Sequence, residues 1–402
     1  MLHLLHQREV GTDRPLALQT AQSSRRAYSL EISKDFDVQK IHTSGITSLD
    51  VDSTENRYLL SGSADGIVCV HDMENHNDVP KAEYPCVSTI GRSNRYRHKH
   101  SVETVKWYPF DNGMFLTSGT DKVLKVWDAN VLKTADEFAF SGVVYSHDMS
   151  SLASSRCLVA VSTQSSQIKL IDLKTGSATH SLRGHTKAVY SVQWSSRDEH
   201  ILASGSADSR VLMWDVRMAK GSLFILDQHN GETASNASSG INTAHDGKVN
   251  AIRFLPDGLH LMTFGTDDRL HLWDASRGRH MNVNYGRIDN ASRRSVRLSS
   301  SDGCRPPLAY VPTDSNIYVF DIFSGLRTSI LRGHYTQVNA CYFHADRQEL
   351  YSGANDRNIL IWTPVTDKAF ERQLQEKSED QSAKNFTSRT AATADAWSSD
   401  SD

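Results

Sequence analysis

The chain has 402 residues and carries 44 Lys and Arg against 47 Asp and Glu, which gives a formal net charge of −3. This near balance excludes a protein whose overall charge serves to hold nucleic acid or an anionic membrane surface. No apolar run approaches the roughly 18 residues needed to cross a bilayer, and the first residues lack the basic and apolar regions of a secretory signal.

The cysteines argue against metal or disulfide chemistry. All five are widely spaced and their number is odd, which fits neither a disulfide framework nor a paired CxxC clamp. We therefore predict a protein of a reducing compartment with no metal site and no cofactor.

The start of the chain has the apolar spacing of two short helices separated by a Gly-Thr-Asp break. The apolar side chains are Leu2, Leu4 and Leu5 in the first segment and Leu16 and Leu18 in the second. A short helix pair cannot bury its apolar face alone. It therefore packs either on the rest of this chain or in the groove of a partner.

The remainder of the chain is repetitive. Seven units end in or near a Trp-Asp dipeptide, with spacings between 42 and 59 residues. Four short strands in a unit of roughly 40 to 45 residues are typical of a β-propeller. We predict an all-β, seven-bladed WD40 propeller over residues 28–364, whose last blade takes its outer strand from residues 28–40. A helical segment, 1–27, precedes the propeller, and a polar, acidic, disordered tail, 365–402, follows it.

Five units also share a set of side chains at fixed offsets. A His precedes an Asp by 21 to 23 residues, a Ser or Thr precedes that Asp by four, and an aromatic ring follows it by six. The sets are His42, Ser61, Asp65 and His71; His100, Thr117, Asp121 and Trp127; His185, Ser204, Asp208 and Trp214; His245, Thr263, Asp267 and Trp273; and His334, Ser352, Asp356 and Trp362. Fivefold recurrence favours a buried structural network over a catalytic triad. Since no phosphate loop, nucleophile elbow or HExxH is present, we predict that the protein is not an enzyme.

Two further features distinguish this chain from a plain propeller. The Trp-Asp pair of the fourth unit is followed by Arg217, whose guanidinium is either a solvated surface charge or a fork for carboxylates and carbonyls of a partner. Two loops that enter blades, 91–100 and 286–298, are rich in basic residues and share one face, as a partner-binding surface would. Their candidate contact residues are Arg92, Arg95, Tyr96, Arg97, Lys99, Arg293, Arg294 and Arg297.

The chain resembles the Cockayne syndrome group A family of WD-repeat proteins. The likeness rests on the start MLHLLHQREVGTDRPLAL, the runs SVETVKWYPFDNGMF and ILASGSADSRVLMWDVR, and the ending DAWSSDSD. Single Trp-Asp motifs occur in very many proteins, whereas these segments are specific in combination.

The resemblance implies a nuclear substrate receptor of cullin-4 RING E3 ubiquitin ligases that acts in transcription-coupled nucleotide excision repair. It implies that residues 1–25 together with Trp214, Asp215 and Arg217 bind the ligase adaptor, the large subunit of damaged-DNA-binding protein, which carries the cullin and RING subunits. The opposite face would hold the targets, the Cockayne syndrome group B translocase and stalled RNA polymerase II.

Other functions remain open from the residues alone. A WD-repeat scaffold for a chromatin or RNA-processing complex would use the same fold without a ligase. A direct nucleic-acid binder would use the basic loops and show steep salt dependence, although the near-neutral ring disfavours it. We expect no membrane binding and no sequence-specific contact with nucleic acid. A propeller hydrolase would lack a non-repeating nucleophile and base.

Overall fold

The computed structural model describes residues 9–11, 15–74, 82–153, 157–218, 221–231, 242–292 and 294–365. Within them, the helix α1 (Pro15–Tyr28) precedes the strands β1 to β30. The described strands form seven four-stranded sheets, which confirms the predicted seven-bladed propeller. The first helical segment and the tail lie outside the described residues.

The blades follow one another along the chain, each with its first strand nearest the centre. The strands of blades one to four are β3 (Ile46–Val51), β4 (Tyr58–Ser63), β5 (Val68–Asp72) and β7 (Cys86–Ile90); β8 (Val102–Trp107), β9 (Met114–Gly119), β10 (Val123–Asp128) and β11 (Lys133–Ala139); β12 (Val144–Met149), β13 (Leu158–Thr163), β14 (Gln167–Asp172) and β15 (Ser177–Arg183); and β16 (Val189–Trp194), β17 (Ile201–Ser206), β18 (Val211–Asp215) and β19 (Phe224–Ile225). Blades five to seven are β20 (Val249–Phe254), β21 (His260–Gly265), β22 (Leu270–Asp274) and β23 (Arg279–His280); β24 (Ser299–Ser300), β25 (Leu308–Thr313), β26 (Asn316–Asp321) and β27 (Arg327–Arg332); and β28 (Val338–His344), β29 (Glu349–Ala354), β30 (Ile359–Pro364) and β1 (Leu30–Ile32).

The ring closes through the N-terminal part of the chain. β1 adds to β30 as the outer strand of the last blade, and the Ser33 amide continues the pairing by donating to the Ile361 carbonyl at 2.8 Å. The prediction that residues 28–40 supply this strand is therefore confirmed for β1. The second half of that segment does something else, because β2 (Phe36–Val38) pairs in parallel with β6 (Ala82–Tyr84).

Seven apolar clusters fill the seams between neighbouring blades, one cluster to each seam. A strand that is covered on both sides buries both sets of its alternating side chains, as β25 does along its whole length. The cluster between blades six and seven also takes in Ala27 of α1. The core of the protein is thus divided into seams, and each blade depends on its two neighbours.

Antiparallel pairing sorts the connections onto two faces of the ring. The loops that enter each blade and the turns between second and third strands lie on one face, here called the upper face. The turns after the first and third strands lie on the other, the lower face. The network His and Asp residues therefore belong to the upper face, whereas Arg217, after β18, belongs to the lower face.

Candidate protein-binding faces

The fixed-offset network forms as predicted in blades four, five and seven. In blade four, His185 Nδ1 lies 3.0 Å from Asp208 and its Nε2 lies 2.8 Å from Ser204 Oγ, which also accepts the Trp214 Nε1 hydrogen at 2.7 Å. The same three contacts, at 2.8 to 3.0 Å, join His245, Asp267, Thr263 and Trp273 in blade five, and His334, Asp356, Ser352 and Trp362 in blade seven. Each hydroxyl is used twice inside its own blade, so these sets hold the blade together.

In blade two, the prediction of His100 is wrong. His98 makes the contacts, with its Nδ1 2.8 Å from Asp121 and its Nε2 2.6 Å from Thr117, while His100 is exposed. The signal was present in the sequence, because His98 precedes Asp121 by 23 residues and the other four pairs are separated by 22 or 23. Trp127 completes this set by donating to Thr117 at 2.7 Å.

In blade one, the predicted link between His42 and Asp65 is absent. His42 Nε2 contacts Ser61 Oγ at 2.7 Å, but Asp65 instead accepts the Thr43 hydroxyl at 2.5 Å. His71 occupies the tryptophan position, and neither of its ring nitrogens has a partner among the described residues. Burial lowers the pKa of His42 to about 4 and that of His71 to about 3, so both rings are neutral at pH 7.

Only one residue of the predicted Trp-Asp-x-Arg contact reaches the surface. Trp214 is buried and Asp215 is held by Arg217, so the prediction that these two contact an adaptor directly is wrong. The Arg217 side chain is 59% exposed. Its Nε and Nη2 bind the Asp215 carboxylate at 3.0 and 2.7 Å, while Nη1 has no partner within the part of the chain that the structure describes. Asp215 therefore holds the guanidinium flat on the lower face with one edge free.

A cavity of about 620 Å³ opens beside Arg217 on the lower face, between blades three and four. Leu158 and Val216 contribute apolar surface to it, and His200 and Glu199 contribute polar groups. Apolar walls with a few polar groups suit an inserted side chain of a partner. The sequence gave no sign of this cavity, because its walls come from two different repeats.

The helix α1 also lies on the lower face. Its C-terminal half is docked on the propeller, since Ala27 is buried, Ser24 Oγ accepts the Arg305 amide at 2.8 Å, and Arg26 Nη2 donates to the Arg347 carbonyl at 2.8 Å. Its N-terminal end is not covered, because Leu16 is 76% exposed. The helix thus packs on its own chain at one end and presents an apolar side chain at the other. Leu18 is half-buried, and Leu2, Leu4 and Leu5 lie outside the described residues.

The loop 91–100 forms a basic surface on the upper face. Arg92, Arg95 and Lys99 are exposed, and the Arg95 guanidinium lies 4.4 Å from the centre of the Tyr96 ring. Stacking on the ring limits the motion of this arginine and leaves its charge in solvent. Arg97 is half-buried. None of the four cations forms an ion pair with a residue that the structure describes.

The basic residues of the loop 286–298 are placed differently from the prediction. Arg297 lies in the central channel, where its Nη2 donates to the Thr104 hydroxyl and, at 3.1 Å, to the Ser146 hydroxyl. Arg294 stands at the mouth of the channel and pairs with Glu103 at 3.2 Å. The prediction of a free target-binding cation is therefore wrong for Arg297, because both inner-strand hydroxyls use its guanidinium. Arg293 falls outside the described residues.

Sequence reasoning missed one upper-face residue. Tyr335 follows the network histidine of blade seven and is 88% exposed, the largest exposure among the described large apolar side chains. Aromatic rings in this position are frequent anchors in protein interfaces. The spacing of His334 and Asp356 would have placed the ring on this face.

Comparison with known proteins identifies the repeat. The WD domain, G-beta repeat family matches residues 36–72, 91–128, 176–215, 238–274 and 325–363. WD repeat-containing protein ATCSA-1 of Arabidopsis thaliana is 33% identical over 433 aligned positions, which cover 90% of this chain and 95% of that protein. The chain belongs to the WD-repeat family.

Two more distant relatives cover about half of this WD-repeat chain. Radiation-sensitive protein 28 of Saccharomyces cerevisiae is 26% identical over 54% of this chain and 47% of its own length. The guanine nucleotide-binding protein subunit beta of Arabidopsis thaliana is 27% identical over 44% of each chain. These matches support the WD-repeat propeller and add nothing specific about partners.

The five stretches that match the WD repeat are the five units that carry the His and Asp offsets. Blades three and six of this WD-repeat protein lack those offsets and nevertheless form four-stranded sheets. Neighbouring blades on both sides supply the seams that these two need. In the described part of the chain, no helix combines the length and apolarity of a membrane span.

Proposed function

We propose that this WD-repeat protein is the substrate receptor of a cullin-4 RING E3 ubiquitin ligase and acts in transcription-coupled nucleotide excision repair in the nucleus. The likeness to ATCSA-1 over 90% of the chain carries the proposal. It agrees with the Cockayne syndrome group A resemblance of the start of the chain, the SVETVKWYP run and the ending. In this role the protein has no chemistry of its own.

The lower face is the proposed adaptor-binding side. Support comes from the exposed edge of Arg217, the cavity beside it and the uncovered Leu16 at the end of α1. An arginine that is already oriented by Asp215 loses little conformational freedom when it pairs with a carboxylate or carbonyl of the adaptor. The adaptor is the large subunit of damaged-DNA-binding protein, which connects the receptor to the cullin and RING subunits.

The upper face is the proposed target-binding side. The cations of the loop 91–100 and the exposed Tyr335 ring offer charge and an aromatic anchor to an acidic protein segment. The proposed targets are the Cockayne syndrome group B translocase and stalled RNA polymerase II. DNA comes near the receptor through these partners and is not itself the ligand.

The ring converts two binding events into catalysis by position. Seven packed seams fix the upper face relative to the lower face, so a target held above stays at a set distance from the conjugating enzyme held below. Ubiquitin transfer then accelerates because the effective concentration of target lysines near the enzyme rises.

The adaptor-binding proposal is tested by affinity purification with mass spectrometry of the wild type against Arg217→Glu. We expect at least about a tenfold loss of adaptor, because reversing a close interfacial charge removes an attraction and adds a repulsion. Arg277→Glu is the matched control, since Arg277 occupies the corresponding turn of blade five, is 76% exposed and lies 4.0 Å from Asp274. An Arg217→Glu protein that retains the adaptor at the wild-type level contradicts the proposed docking.

The target-binding proposal is tested with a second charge reversal on the other face. Arg95→Glu combined with Lys99→Glu should reduce capture and ubiquitination of the translocase while leaving the adaptor bound. Arg217→Glu should do the reverse in capture of the two partners. If neither adaptor nor cullin accompanies the wild-type protein, the chain is a scaffold without ligase activity, and the proposal is wrong.

A further inference from the structure

Blade one contains a cluster of thiols and imidazoles at the place where other blades hold a tryptophan. His71 stands in the tryptophan position of β5, and Cys69, two residues earlier, projects from the same side of that strand. Cys86 of the outer strand β7 is the pairing partner of His71, and its thiol hydrogen-bonds to the Cys69 thiol. His42 reaches the cluster from the loop that enters the blade.

The donor atoms of this cluster converge. One ligand atom from each of His42, Cys69 and His71 lies within 4.8 Å of the other two. All three side chains are buried, with His71 and Cys69 completely inaccessible to solvent. Three buried ring nitrogens, His42 Nδ1 and both nitrogens of His71, have no partner among the described residues. Buried polar atoms without a partner are rare and point to a group that completes them.

We propose that His42, Cys69 and His71 bind a zinc ion, with Cys86 as the fourth ligand. Zinc prefers a tetrahedral set of imidazole nitrogens and thiolates, with bonds of about 2.0 to 2.1 Å and 2.3 Å respectively. These bond lengths place ligand atoms roughly 3.3 to 3.8 Å apart, so the three donors need to approach one another by at most about 1.5 Å. The Ser61 hydroxyl on His42 Nε2, at 2.7 Å, leaves Nδ1 as the nitrogen for the metal and orients the ring.

A similar cluster in blade five shows what distinguishes blade one. His245, Asp267 and His271 also bring three ligand atoms within 4.8 Å of one another. There, however, both nitrogens of His245 are used, at 3.0 Å by Asp267 and at 2.8 Å by Thr263, and Trp273 is present. A metal in blade five would have to dismantle the network. In blade one the network is already incomplete, so the ligands are free.

This site was not predicted from the sequence, because its ligands do not follow a zinc-binding spacing. Successive ligands are 27, 2 and 15 residues apart, obtained from positions 42, 69, 71 and 86. The prediction that no metal is bound considered only paired CxxC clamps. The fold, rather than the spacing, brings these four side chains together.

The test measures zinc in the full chain, purified after expression with added zinc and without chelators. We expect about one zinc ion per chain by elemental mass spectrometry, with loss to background in His71→Trp. That variant restores the side chain found at the same position in blades two, four, five and seven, so its circular dichroism should match the wild type. Cys69→Leu is a second variant, since Leu212 holds that position in blade four.

His271→Leu in blade five is the matched control and should keep its zinc. Cobalt reconstitution supplies an independent signal, because a thiolate ligand gives a sulfur-to-cobalt charge-transfer band that His71→Trp should abolish. Zinc that persists in His71→Trp, or a wild type that takes up none, overturns the proposal. A thiol titration that reveals a disulfide between Cys69 and Cys86 in place of metal overturns it as well.

Discussion

Removal of the Ser204 hydroxyl should destabilise blade four more than any single contact would suggest. Ser204 Oγ contacts His185 Nε2 at 2.8 Å and accepts the Trp214 Nε1 hydrogen at 2.7 Å. In Ser204→Ala, both nitrogens remain buried and neither has another partner within reach in the described structure. An unpaired buried polar group costs about 1 to 3 kcal/mol, so we expect the free energy of unfolding to fall by about 2 to 5 kcal/mol.

Blade one provides the matched control for this change. Ser61 is the equivalent residue, but only His42 contacts it as a ring nitrogen, at 2.7 Å, because His71 replaces the tryptophan. Ser61→Ala therefore leaves a single nitrogen unpaired and should cost about 1 to 3 kcal/mol. The two substitutions remove the same atom from the same position of two blades of one protein.

The assay is urea denaturation followed by circular dichroism, together with hydrogen exchange of the blade-four peptides by mass spectrometry. Exchange isolates the affected blade, which matters because a propeller need not unfold in two states. We expect faster exchange in β16 to β18 of Ser204→Ala, with the distant blades unchanged. If Ser204→Ala costs no more than Ser61→Ala, the networks do not contribute as the geometry indicates.

Three further changes follow from the structure. Burial raises the pKa of Asp50 to about 6, so the native state binds its proton more tightly than the unfolded chain does, and this carboxyl makes stability fall as the pH rises from about 4 to 6. Asp50→Asn should remove that slope and raise stability at pH 7 by about 1 to 2 kcal/mol, which urea denaturation across this pH range measures. Gly66→Ala should cost at least about 2 kcal/mol in the same assay, because φ is +81° and the new Cβ would lie 2.6 Å from the His98 carbonyl oxygen, whereas Gly91→Ala should be nearly neutral. Ala27→Glu should undock α1 by burying a charge, so trypsin should cleave this helix faster than in the wild type; equal cleavage rates would contradict the docking.

The sequence predicted the repetitive parts of this molecule well because each repeat carries its own signal. Turn residues, alternating apolar positions and the offsets around Asp208 recur within about 40 residues, so they could be read locally. The error at His100 arose within that local pattern, since His98 and His100 both precede Asp121 at nearly suitable distances. Only the buried position of His98 distinguishes the two residues.

Contacts between distant segments could not be predicted in the same way. Arg297 looked like a surface cation in a polar loop, but the ring brings it to hydroxyls that lie 193 and 151 residues earlier in the chain. The cavity beside Arg217 depends likewise on two blades meeting. The sequence left α1 open between its own chain and a partner, and the structure assigns its two ends differently, with Ala27 buried and Leu16 exposed.

The junction of α1 and β1 connects partner binding to the integrity of the ring. α1 ends at Tyr28, and β1, which closes the last blade, begins at Leu30. Opening the ring requires β1 to leave β30, and this would also carry away the helix. A ligand that prefers the docked helix therefore favours the closed ring, and by reciprocity a loosened closure weakens the ligand. Substitutions in the last seam, far from any interface, should consequently lower affinity for whatever binds α1.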